Sequence, residues 1–94
     1  MPTIDIKRSH PLGKDKARAA VEQVAEKLRD KFGLSTNWDG DTLRFERSGA
    51  KGAIAVTDAD VHVTVDLGMM MRPMKGTIET KIKEYLDQYL GSKD

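Results

Sequence analysis

The only imidazoles in the chain are His10 and His62, and with no cysteine present either would need carboxylate partners to build a metal site or a catalytic dyad. Asp58, Asp60 and His62 fall at alternate positions, where three ligands could be imagined, but an Asp-rich turn accounts for the same acids without a metal. His10 stands beside Pro11, the setting of a loop residue rather than a base. Ser9, Ser35, Ser48 and Ser92 have no nucleophile elbow or other activating neighbour. Gly49 and Gly52 give G-x-x-G without the further glycines, the Lys-Ser/Thr pair and the following helix of a phosphate loop, so they read as turn geometry. No catalytic residue, metal ligand or cofactor site emerges, and the chain reads as non-catalytic. The most suggestive group is Met69, Met70, Met71 and Met74, whose flexible, polarizable thioethers suit adaptable apolar contacts, either in a core or against a partner.

The elements that would carry these residues are legible from periodicity. Thr3 to Ser9 alternates, with Ile4 and Ile6 on one side, and reads as a first strand broken by His10, Pro11 and Gly13. From Lys14 to Phe32 the apolar positions Ala17, Ala20, Val21, Val24, Ala25, Leu28 and Phe32 recur at helical spacing, with Gly33 as a C-terminal cap. Lys14 and Lys16 occupy a first turn where the helix dipole favours acids, a mismatch that can mark an anion-facing end. Leu34 to Trp38, an Asp39-Gly40 turn and Thr42 to Arg47 form a hairpin, since Asp-Gly supplies the positive φ of a tight turn. Ile54 and Val56 make another strand, and Val61 to Leu67 alternates as the last, ending at Gly68. Connections this short exclude parallel crossovers, so these four strands form an antiparallel meander. A helix from about Arg72 to Leu90 closes the chain, with Pro73 in its first turn and Met71, Met74, Ile78, Ile82, Tyr85, Leu86 and Tyr89 on one face. The expectation is an α+β, two-layer β-α-β-β-β-β-α domain spanning residues 1–94, with both helices on one face of an antiparallel sheet.

Lys plus Arg number 16 against 15 Asp plus Glu, so the whole-molecule field is weak, which argues against a nucleic-acid partner. Lys7, Arg8, Lys14, Lys16 and Arg18 nevertheless face only Asp15 across their stretch, and the acids concentrate later, which predicts a bipolar molecule. There is no span of roughly 20 apolar residues to cross a bilayer and no apolar leader, so a cytoplasmic location is expected. A meander of this size leaves two edge strands exposed, which favours a homodimer.

Several ordered residues resemble those of the polyhydroxyalkanoic acid system family, small proteins associated with polyhydroxyalkanoate granules. They are His10-Pro11-Leu12, Arg18-Ala19, Val21-Glu22, Trp38-Asp39-Gly40-Asp41-Thr42-Leu43 with Phe45, then Gly49, Gly52, Leu67-Gly68, Ile78-Glu79 and Ile82. The resemblance implies a bacterial accessory or regulatory protein that binds the granule surface or a granule protein, and it brings no active-site residues. The layout also resembles a truncated helix-grip fold. The candidate interaction surface is Met69, Met70, Met71 and Met74, helped by Lys14, Lys16 and Arg18 if these lie nearby. Two alternatives are a small carrier of an apolar or acyl ligand held between the sheet and the C-terminal helix, and a nucleic-acid-binding regulator.

Overall fold

The computed structural model describes residues 2–91, so Ser92 lies outside the described residues. The chain runs β1 (Ile4–Ser9), α1 (Lys14–Phe32), β2 (Ser35–Asp39), β3 (Thr42–Arg47), β4 (Ala50–Val56), β5 (Asp60–Leu67) and α2 (Lys75–Leu90), with a 3-10 turn over Arg72–Met74 leading into α2. Consecutive strands from β2 to β5 pair antiparallel through short turns, and β1 joins the far side of β5, giving the order β1-β5-β4-β3-β2. This is the predicted α+β arrangement, with β1 and β2 as its edges.

Alternation explains the layering. Ile4 and Ile6, Leu43 and Phe45, Ile54 and Val56, and Val61, Val63, Val65 and Leu67 point to one face of the sheet, where they meet Val21, Val24 and Leu28 of α1 and Ile78, Ile82, Leu86 and Leu90 of α2 in a single core. The opposite face carries Asp5, Lys7, Arg44, Glu46, Lys51, His62, Thr64 and Asp66 and is open to solvent. Both helices end on a left-handed glycine, Gly33 with φ 68° and Gly91 with φ 68°.

Three local features differ from the sequence reading. The β2–β3 loop is Gly40-Asp41, because Asp39 already pairs with Thr42; φ is positive at Gly40 (60°) and, among the described residues, at no non-glycine residue, Asp41 included, the pattern of a type II′ turn. β4 begins at Ala50 rather than near Ile54. Met74 does not join the buried face of the last helix: its turn is 3-10, with tighter winding than an α-helix, and the side chain remains 42% exposed.

The pairing registers define two ends of the molecule. At one end lie the Gly40-Asp41 turn, the Thr57–Asp60 turn and the start of α1. At the other lie the Ser48-Gly49 turn, the end of α1 and the Gly68–Met74 segment, joined where Gly68 N–H donates to Gly49 O and Arg47 donates to Phe32 O. The eight residues of β5 connect them, a span of about 23 Å.

Candidate functional site

Gly68 O accepts from both Met71 N–H and Arg72 N–H, which folds Gly68–Met71 into a tight turn with Met69 and Met70 at its two central positions. Local physics favours Gly, Asn, Asp or Pro there. The chain instead projects two thioethers into water, Met69 at 85% and Met70 at 90% exposure. Met71 turns inward and packs against the core over Gly49, where a Cβ would stand 3.0 Å from Met71 Cγ. Between Gly68 and Thr77 the side chain of Met71 is the one that is partly covered; Arg72, Pro73, Met74, Lys75 and Thr77 are all exposed. The candidate methionines thus divide into one anchor, Met71, and three outward residues.

The basic residues named with them do not join this site. Lys14 and Arg18 sit at the start of α1, the length of the sheet away from the Met turn. They also have acidic neighbours. Lys14 Nζ lies 3.1 Å and Arg18 Nε 3.7 Å from Asp41, and the hydrogen bond and charge of Asp41 hold the Lys14 ammonium above its ordinary pKa. Lys14 N–H donates to Asp58 Oδ1 at 3.2 Å, so a carboxylate from the β4–β5 turn takes over the capping that Gly13 cannot provide. The odd first turn of α1 is therefore answered from within the molecule, and only Lys16 stands outside this set. The predicted bipolar field loses its basic pole to Asp41 and Asp58.

Sequence reasoning passed over Arg72 and Lys75, which follow the Met turn. The signal that could have found them is the run from Leu67 to Ile78, which holds two cations and no acid. Arg72 Nε donates to Leu67 O at 3.5 Å, and Lys75 Nζ lies 3.4 Å from Glu79, whose carboxyl is held below its ordinary pKa by Lys83 and then Lys75.

The remaining chemistry-bearing residues take structural roles. His10 is 7% exposed; its Nδ1 accepts Leu12 N–H at 3.2 Å, which leaves Nε2–H to donate to Thr57 O at 3.0 Å and tie the β1–α1 loop to the β4–β5 turn. His62 pairs with Asp5 on the open sheet face, while Asp58 caps α1 and Asp60 bonds Thr57, so these three do not converge. Among the described residues no cluster of three or more metal-ligating side chains is formed. Trp38 lies half-buried at the β2 edge, stacked under the Arg18 guanidinium 4.5 Å from its ring centre, and its Nε1–H donates to Glu22 at 2.9 Å. That bond, followed by the hydrogen bond and charge of Arg29, holds the Glu22 carboxyl below its ordinary pKa.

Two concavities bear on ligand binding. The cavity between sheet and helices, lined by Leu28, Phe45, Val65, Met71, Ile78 and Ile82 among others, measures about 20 Å³. Sites for small organic ligands run from about 300 Å³ upward, so an acyl chain has no room there. A shallow hollow of about 620 Å³ on the open sheet face is edged by Arg44, Glu46, Lys51 and Asp66, with its charges mixed in sign.

No helix among the described residues is long and apolar enough to cross a membrane. No curated protein and no solved structure matches the chain. A family model does match, over residues 4–90, which takes in every strand and both helices of the described residues, and so Glu22, Trp38, His10 and the Met turn all fall within it. The chain belongs to the family described as "putative polyhydroxyalkanoic acid system protein".

Proposed function

We propose that this protein is a non-catalytic accessory or regulatory component of the polyhydroxyalkanoate storage system, acting in the cytoplasm, and that it docks on the granule surface or on a granule protein through Met69 and Met70. The observation that carries this reading is the exposure of two adjacent large apolar side chains, 85% and 90%, at turn positions where backbone geometry does not call for methionine. Burying each against an apolar partner is worth up to roughly 1.5–3 kcal/mol. Family membership supplies the granule context. A second copy pairing along an edge strand is the oligomeric form this reading favours, since β1 and β2 both end the sheet.

The test is sedimentation of native granules with the wild-type protein and with the M69S/M70S double variant. The variant is expected to stay in the supernatant while its circular dichroism matches wild type. Equal retention of both folded proteins removes the Met turn as the docking element.

A further inference from the structure

The Met turn ends in a shape and charge that select among partners. Met69 and Met70 project into water beside a segment that holds Arg72 and Lys75 and no acid of its own; Glu79, 3.4 Å from Lys75, is shared with Lys83 at 3.2 Å, so three cations meet one carboxylate along this stretch. Neither the 3-10 turn nor the first turn of α2 contains an acidic residue. A stable protein–protein interface covers about 800 Å² on each partner. Two adjacent thioethers at one turn supply only a small part of that area. A second copy of the chain meeting tip to tip would bring like charges together. An interface between water and hydrocarbon needs no matching contour: it accepts apolar tips to the depth of a side chain and holds cations at its anionic headgroups.

We propose that the Gly68–Thr77 segment is a lipid-interface anchor, in which Met69 and Met70 enter the acyl boundary of an anionic phospholipid layer while Arg72 and Lys75 lie at its headgroups. Met71, packed over Gly49 in the core, fixes the turn to the body of the domain. α2, about 24 Å long, leads away from the surface, so the protein stands end-on and leaves the Gly40-Asp41 end facing solvent. Lys14 and Arg18, beside Asp41, lie at that far end of the sheet and so take no part. This rests on the reading of the Met turn as the docking element and adds the chemistry of what it meets.

The experiment compares co-sedimentation with vesicles of phosphatidylcholine alone and of phosphatidylcholine containing phosphatidylglycerol, at low and high salt. Wild type is expected to bind the anionic vesicles, weaken with salt, and bind the neutral ones far less. R72Q/K75Q is expected to lose about 25-fold in affinity for anionic vesicles, about fivefold for each cation. M69S/M70S loses binding to both, and K14Q/K16Q leaves it unchanged. Because the chain has no cysteine, a dye attached through M69C reports entry into an apolar layer without labelling another site, and its emission should shift blue on anionic vesicles only. Equal binding to the two vesicle types, or loss of binding in K14Q/K16Q with R72Q/K75Q unaffected, overturns the proposal. Retention on native granules through Met69 and Met70, with no binding to either vesicle, overturns it and leaves the docking reading standing; loss of neither vesicle nor granule binding in M69S/M70S overturns both.

Discussion

Single residues in this chain take their meaning from partners far away in sequence. Glu22 and Trp38 are 16 positions apart, and nothing in either residue type announces that the indole N–H will donate to that carboxylate; the register of α1 against β2 brings them together. Because the Glu22 carboxyl is held below its ordinary pKa by Trp38 and then Arg29, it contributes stability at pH values above the usual carboxylate range. That contribution is lost as pH falls through the depressed folded-state value. The side chain is 43% exposed, so solvent screening keeps the effect modest. Urea melts between pH 7 and pH 3 should show wild type losing more stability than E22Q at the acid end, and parallel pH curves for the two would remove the carboxylate from the account. His10 shows the same limit on reading. Its loop setting was legible, but its burial and its two backbone partners were not. Replacing it by Ala leaves Leu12 N–H and Thr57 O without their partner, and a loss of about 1–3 kcal/mol is expected by chemical denaturation.

At the scale of elements, most of the fold was legible because each segment buries one face, so hydrophobic period and segment type agree. α1 runs from Lys14 to Phe32 as its periodicity requires, and the β3 limits also follow the pattern. The start of β4 was hidden because Gly52 and Ala53 interrupt the alternation. The structure supplies the reason for that glycine: a Cβ at position 52 would stand 2.4 Å from Thr64 O and 2.8 Å from the Phe45 ring, which lies across the strand. Gly76, in the first turn of α2, has nothing within 4 Å of where its Cβ would be. Two substitutions of the same kind should therefore act in opposite directions. G52A is expected to destabilise by about 1–3 kcal/mol through overpacking. G76A is expected to stabilise by about 0.4–1 kcal/mol by restricting the unfolded chain. Thermal melts of both variants check this. The Met turn was legible as a group of thioethers, but not its division into one anchor and three exposed residues, since that depends on the Gly68–Gly49 contact between two turns distant in sequence.

The whole molecule is a sheet covered on one face, with two edges left to manage, and the edges differ. β1 alternates Asp5 and Lys7, charges of the kind that guard an edge against pairing. β2 reads Ser35-Thr36-Asn37-Trp38-Asp39, with one charge, at its end. Asp39 and Thr42 flank a two-residue turn, so in β2 the backbone groups of Asp39, Asn37 and Ser35 face β3, and those of Trp38 and Thr36 face outward. Two copies meeting antiparallel about a two-fold axis at Asn37 would exchange hydrogen bonds between Trp38 N–H of one and Thr36 O of the other, and lay each half-buried Trp38 beside its partner's Thr36. Asn37 would face its own copy across the axis. A lysine there puts two like charges in direct opposition, which disfavours pairing and leaves the exposed face of the monomer otherwise intact. Light scattering at high micromolar concentration should return twice the chain mass of 10.5 kDa for wild type and a single chain mass for N37K, with both folded by circular dichroism. Wild type at a single chain mass would refute the dimer outright, and N37K remaining at twice that mass would move the interface away from β2.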